Sequence, residues 1–410
     1  MSPRELPFDS DAWRRANRRL SAKILSELAH ECLIAPVRIG DSALYQVPSD
    51  DGERTYSFRA RRMGLDHWSV DETSVECAGA LSCGAWDAAD LILDLRETLE
   101  LHPPVLETYL EELTCTASML ARHFANECLD ARRLASADFQ EIEGAMSAGH
   151  PCFLANGGRI GFSLDDSLAY APELAPDFSV VWVAAHRDRA HFAAISTLTY
   201  ETVMREELGV QRVDAFDERL RALALDPDDY ILMPVHPWQW AHRITTGFSD
   251  EIACRRLVFL GESDDRYQPQ QSVRTLFNRS APHRRYVKCA LSVLNMGFMR
   301  GLSPEYMRST PAINEWVHET VANDPKLDRF YVLREVATAG YRHPRLERSA
   351  PRSSARRKML AALWRESPYT RVDESTSLMT MAALLHRDRK GEALLPELVS
   401  RSGLSPEAWL

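Results

Sequence analysis

The sequence predicts an α+β protein in which a helical N-terminal lobe precedes a central lobe built on antiparallel sheet. Three observations carry that expectation. Residues 12–33 and 88–134 place apolar side chains at helical spacing. Residues 34–76 are cut by Gly-Asp and Asp-Gly turn signals into short alternating runs. Beyond about residue 150 the texture changes to brief apolar segments rich in β-branched residues. With 410 residues and 45% hydrophobic content, the chain can bury a substantial core in two or three lobes.

In the first helix Leu20, Ile24, Leu25, Leu28 and Cys32 form one stripe, Ser10 or Asp11 offers an N-cap, and the arginines form a solvated face. YSFRARRM typifies the hairpin region that follows. Residues 88–134 read as two helices, because Pro103 and Pro104 cannot continue the hydrogen-bond ladder. FSVVWVAAH, YILMPVHPW, RRLVFL and YVKCALSVL then read as strands, separated by helices over 200–209 and 215–223. The stretch 342–358 is basic, proline-bearing and poor in apolar residues, which predicts an exposed loop. No internal repeat is present.

Charge narrows the function. Against 49 basic residues stand 59 acidic ones, a formal net charge of -10, so no bulk positive field exists to hold nucleic acid or an anionic membrane. An anionic substrate needs a local cationic pocket. Cys32, Cys77, Cys83, Cys115, Cys128, Cys152, Cys254 and Cys289 form no CxxC pair and read as reduced thiols. The polar start and the lack of a long uncharged apolar run predict a cytoplasmic protein.

Three constellations carry chemistry. The first is Gly149-His150-Pro151 with Asn156-Gly-Gly158-Arg159-Ile-Gly161, where glycines admit close backbone approach to an anion and a histidine and an arginine could converge on it. A Gly-rich turn with a structural histidine explains the same residues. The second is Pro234-Val-His236-Pro237-Trp238-Gln239, in which two prolines restrict the backbone around His236. That histidine reads as a general base, an anion donor or a satisfied structural residue. The third is Ser272-Val-Arg274-Thr275, followed by Lys288 and Arg300. Hydroxyl, planar fork and compact ammonium suit a polyphosphate, although ordinary surface charges have the same spacing. An extended reading puts Ser272 and Arg274 on one face, Thr275 on the other and Val273 in the core.

Taken in order, GHPCFLANGGRIGFSLDD, YAPE, MPVHPWQW, QSVRTL, VKCALSVLNMGFMRGLSP, VLREV and LWRESP span about Gly144 to Pro368. Together they resemble the IucA/IucC family of siderophore synthetases that work independently of nonribosomal peptide synthetases. The resemblance implies a hand-like architecture, with a thumb-like lobe over 1–143, a fingers-like ATP and substrate lobe over 144–330, and the start of a palm-like lobe over 331–410. It implies ATP-dependent adenylation of citrate or a related polycarboxylate, then condensation with an amine or hydroxyl. Ser272, Arg274, Thr275, Lys288 and Arg300 fall where the family holds ATP. His150, Arg274 and Lys288 take catalytic roles, and His150, Asn156, Arg159, His236 and Gln239 bind or shape the substrate site. Mg2+ is expected as the counter-ion of the triphosphate, with no protein metal site. A homodimer is the expected assembly.

Two departures stand out. Where many members carry a second His-Pro and a lysine, this chain has Phe153-Leu154 and Gly157. The palm motif, a histidine shortly before Gln-Asn, is missing, and Gln-Asn occurs nowhere. The alternative expectation is therefore a noncatalytic or split half of such a synthetase, needing a separate palm-bearing chain.

Overall fold

The computed structural model describes residues 11–79, 86–125, 130–146, 149–150, 152–174, 176–373, 376–388 and 390–409. Ser10, Cys83, Cys128 and Pro151 lie outside them. Helix α1 (Asp11–His30) buries Leu20, Ile24, Leu25 and Leu28, as its apolar spacing requires. It stops before Cys32, which is exposed and adopts φ 57°.

Strands β1 (Val37–Arg38), β2 (Leu44–Pro48), β3 (Arg54–Arg62), β4 (Trp68–Val70) and β5 (Glu76–Gly79) form an antiparallel sheet in which β3 pairs with β2, β4 and β5. Helices α2 (Ala88–Asp94) and α3 (Pro103–Ala125) pack with α1 on this sheet. Pro103 and Pro104 open α3, where the first turn has no intrahelical acceptor for their missing N–H groups. The N-terminal lobe is thus helices on a small sheet.

The central lobe holds two further sheets. The smaller one has the order β8-β6-β9, from β6 (Val181–His186), β8 (Tyr230–Val235) and β9 (Leu257–Glu262). The larger has the order β10-β11-β12-β16-β15-β7. Its members are β7 (Ala190–Ala194), β10 (Tyr267–Pro269), β11 (Thr275–Asn278), β12 (Tyr286–Cys289), β15 (Glu335–Tyr341) and β16 (Ala361–Arg365). All these pairings are antiparallel. A short hairpin, β13 (Leu294–Asn295) and β14 (Phe298–Met299), projects after β12. The two sheets share one core, in which Trp182 and Trp364 are fully buried.

Strands β15 and β16 lie in the interior of the large sheet, so residues on both sides of position 330 share one set of hydrogen bonds. Residues near the C-terminus return to the N-terminal side, where Ala383 and Leu394 pack with Leu134, Ile142 and Met146. The 342–358 stretch departs from the exposed-loop expectation. Pro344–Ser349 is helical, and the nearly buried Arg357 pairs with Glu347 at 2.7 Å and Glu305 at 3.3 Å. Its basic composition is met by internal acids, not by solvent alone. No described helix is long and apolar enough to cross a membrane.

Candidate active site

The hairpin from β10 to β11 turns at residues 270–274, closed by the Gln270 N–H donating to the Thr275 carbonyl at 2.8 Å. This overturns the extended reading of Ser272 to Thr275. Val273 sits at φ 60°, and the Arg274 N–H donates to the Ser272 carbonyl at 2.8 Å. Positive φ is strained for a β-branched residue and persists only where the surroundings over-determine it. Here burial does so, with Val273 packed inward against Trp238, Leu291 and Val293. Ser272 stays exposed, its Oγ accepting from the N–H of the buried Thr275 at 3.3 Å.

The turn sets Arg274 against the Arg300–Gly301 backbone. Its Nη1 donates to the carbonyls of Arg300 at 2.8 Å and Gly301 at 2.5 Å. Burial, then the Arg300 charge, pushes Arg274 down to about 10, with Glu335 acting in opposition, so it stays protonated at neutral pH. Lys288 stands opposite Thr275 in the β11–β12 register, and its ammonium meets Glu335 at 3.1 Å. Arg300 follows β14 and donates through Nε and Nη2 to Asn295 Oδ1 at 3.1 and 2.9 Å. Burial lowers its pKa and Glu112 opposes that shift.

The glycine loop reaches the same place through Asn295. That buried amide donates to the carbonyls of Asn156 at 2.9 Å and Gly158 at 2.6 Å. A Cβ on Gly158 would stand 2.4 Å from the Glu112 carbonyl oxygen, so glycine is what lets the loop lie against α3. His150 is exposed, its ring 4.9 Å from that of Phe153. Arg159 sits differently from a ligand-facing cation. Its fork is taken by Glu173 at 2.6 and 2.9 Å, both groups being nearly buried, and it clasps the loop internally.

Behind this layer lie the two residues of the His-Pro-Trp-Gln run. His236 is fully buried between Tyr170 and Phe178, and its Nδ1 accepts the Trp238 N–H at 3.2 Å. Burial drives its pKa down to about 3, so it is a neutral ring. Gln239 donates to Ser292 Oγ at 2.9 Å and the Met359 carbonyl at 2.8 Å, and accepts the Ser292 N–H at 2.7 Å. Gln239 braces the segment after β12 from within.

Sequence reasoning passed over four residues of this region. Lys23 of α1 donates to the carbonyls of His150 at 2.8 Å and Phe153 at 2.9 Å and to Asn156 Oδ1 at 3.1 Å. Burial lowers its pKa to about 8. Glu335, Asn295 and Glu112 supply the acidic and amide partners of the cations. The single acidic residue in VLREV, Glu335, was the available hint. Elsewhere Asp250, Glu251 and His343 bring ligand-type atoms within 4.8 Å of one another. Arg345 pairs with Asp250 at 3.0 Å and Arg189 with Glu251 at 3.6 Å, which reads as an ion cluster already neutralised.

Arg300 therefore joins the glycine loop through Asn295, Arg274 holds the Arg300 carbonyl next to Ser272 on the turn, and Lys288 and Arg274 share Glu335, a set suited to a polyanion. The model of the IucA / IucC family matches residues 138–386, which include all of these. The chain belongs to the IucA/IucC family. It is 44% identical over 403 residues to putrebactin synthase of Shewanella sp. (strain MR-4), covering 97% of this chain and 64% of that protein. It is 26% identical over 414 residues to a Bacillus anthracis relative, citryl-spermidine/3,4-dihydroxybenzoyl-citryl-spermidine:spermidine ligase, covering 98% of this chain and 65% of the other. The solved structure of aerobactin synthetase IucC from a hypervirulent pathotype of Klebsiella pneumoniae matches with a TM-score of 0.82 at 27% identity, covering 97% of this chain and 69% of that one. The chain spans about two thirds of the length of these relatives. The α+β architecture with antiparallel sheets is the one this family shares. Lys23 and Glu112 lie outside the matched residues and come to the site from the N-terminal lobe.

Proposed function

We propose that this chain carries the nucleotide- and carboxylate-handling part of a siderophore synthetase. A carboxylate oxygen of a citrate-like polycarboxylate attacks the α-phosphorus of ATP, the bond to the β-phosphate breaks, and pyrophosphate leaves. An amine or hydroxyl then attacks the acyl carbon of the adenylate and displaces AMP. The name of the Bacillus anthracis relative, a ligase of citryl-spermidine, supports the citrate-type acid and the amine.

The observation that carries this reading is the convergence of Arg274, Lys288 and Arg300 with the exposed Ser272 on one turn and its neighbours. In adenylation, charge accumulates on the α-phosphate and the departing pyrophosphate. Cations already in place stabilise that charge without reorganising. Arg274 and Lys288 are the phosphate donors in this reading. His150 and Asn156, on the adjoining loop, face the polycarboxylate. His236 and Gln239 shape the cleft from behind, and Arg159 holds the loop. Mg2+ would neutralise the remaining phosphate charge. We place the protein in the cytoplasm, with its ATP, and assign a homodimer as its assembly.

Hydroxylamine trapping tests the proposal. With ATP, Mg2+ and citrate, the full-length protein should form a hydroxamate and release AMP in equal amount. Failure to form an ATP-dependent hydroxamate with citrate or any related polycarboxylate would refute the activity.

A further inference from the structure

The helix Phe139–Ala145 precedes the glycine loop in sequence and is hydrogen-bonded to the 270–274 turn. Gln140 Oε1 accepts from Gln270 Nε2 at 2.7 Å. Glu143 Oε1 accepts from the backbone N–H of Gln271 at 2.9 Å. In return, Gln271 Nε2 donates to the Glu143 carbonyl at 3.0 Å and the Met146 carbonyl at 3.3 Å. At its start, this helix is anchored on the same hairpin by Phe139, whose ring lies 6.2 Å from that of Phe277 in β11.

Glu143 is an uneconomical choice for a purely structural contact. It is 4% exposed and its Oε2 has no hydrogen-bond partner among the described residues, with burial raising its pKa against the opposing Gln271 N–H and Arg365 charge. An apolar residue of the same volume would usually serve folding as well or better. What the carboxyl does provide is an acceptor for the one backbone N–H at the entrance of a strained turn, two residues before Val273. Strained turns keep their shape only when neighbours hold them. The helix that carries this acceptor also accepts from Gln270 through Gln140, so one element holds two successive residues of the turn.

We propose that Glu143 is a positioning residue of the nucleotide site. Through Gln271 it sets the turn that presents Ser272 and Arg274. This rests on the adenylation reading for its kinetic consequence and on geometry alone for its structural one.

The test compares Glu143→Ala with Glu143→Gln in the full-length protein, by ATP-dependent hydroxamate kinetics and by amide hydrogen exchange. Glu143→Ala should raise the KM for ATP about tenfold, with a smaller change in the KM for the carboxylate. It should also speed exchange at residues 271–275 by at least tenfold while exchange in β6 and β8 is unchanged. Glu143→Gln, which keeps the acceptor, should restore both. Wild-type values for Glu143→Ala in both measurements would overturn the proposal, as would equal losses in the two variants. If Glu143→Ala does not fold, Glu143→Met, which keeps the volume and lacks the acceptor for the Gln271 N–H, is read against the same outcomes. If the wild-type protein shows no ATP-dependent turnover, the proposed function fails, and hydrogen exchange alone decides the positioning claim.

Discussion

The Asn295 side-chain oxygen accepts two hydrogen bonds from the Arg300 guanidinium, at 3.1 and 2.9 Å, while its amide nitrogen holds the carbonyls of Asn156 and Gly158. One buried amide therefore joins the glycine loop to the cation cluster. Asn295→Ala would leave the guanidinium and two carbonyls without these partners. An unsatisfied buried polar group costs about 1 to 3 kcal/mol. We expect a loss of about 2 to 4 kcal/mol in urea unfolding, together with weaker ATP binding. A variant of wild-type stability and wild-type affinity would show that the link is idle.

Arg274→Lys keeps the charge and loses the fork. A lysine cannot hold the Arg300 and Gly301 carbonyls and also offer a planar pair of donors to a phosphate. ATP affinity or adenylation rate should fall by roughly 10- to 1000-fold, equivalent to about 1.4 to 4 kcal/mol. Calorimetric titration with ATP, alongside hydroxamate kinetics, checks this. Full retention of both would contradict the phosphate-clamp role of the turn.

The elements most legible in the sequence were those whose periodicity is set by a single face. Helix α1 followed its stripe of Leu20, Ile24, Leu25 and Leu28, and Pro103-Pro104 marked the start of α3. The 270–274 turn was not legible, because nothing in Gln-Gln-Ser-Val-Arg announces a valine with positive φ. That conformation is imposed by the pocket of Trp238, Leu291 and Val293, residues distant in sequence. Arg159 and Glu173 were both noticed, yet only the fold shows them facing each other. Lys23, Glu143 and Asn295 escaped notice for the same reason: each acts on a backbone group more than a hundred residues away.

His236 predicts a pH dependence. Its folded-state pKa is pushed to about 3, below the ordinary value of 6.5, because the charged ring cannot be solvated in place. The unfolded chain takes up the proton first. The stability this neutral ring contributes is full above about pH 6.5 and is lost as pH falls toward 3, at about 1.4 kcal/mol per pH unit. His386 and His191, each pushed down to about 4 chiefly by burial, act with the same sign. His236→Asn keeps an acceptor for the Trp238 N–H and removes the titration. Between pH 7 and pH 5 its unfolding free energy should fall by about 2 kcal/mol less than that of the wild-type protein. Identical losses would mean that His236 is protonated in the folded state.

Lys288 provides the most direct test, because its ion pair with Glu335 is partly exposed and contributes little to stability. The measurement is carboxylate-dependent exchange of labelled pyrophosphate into ATP, by the full-length protein and by Lys288→Met. Adenylation at this site requires exchange in the presence of citrate or a related polycarboxylate. Lys288→Met should lose at least tenfold of it, with thermal unfolding unchanged. Release of ADP without pyrophosphate exchange, or exchange that Lys288→Met leaves intact, would contradict it.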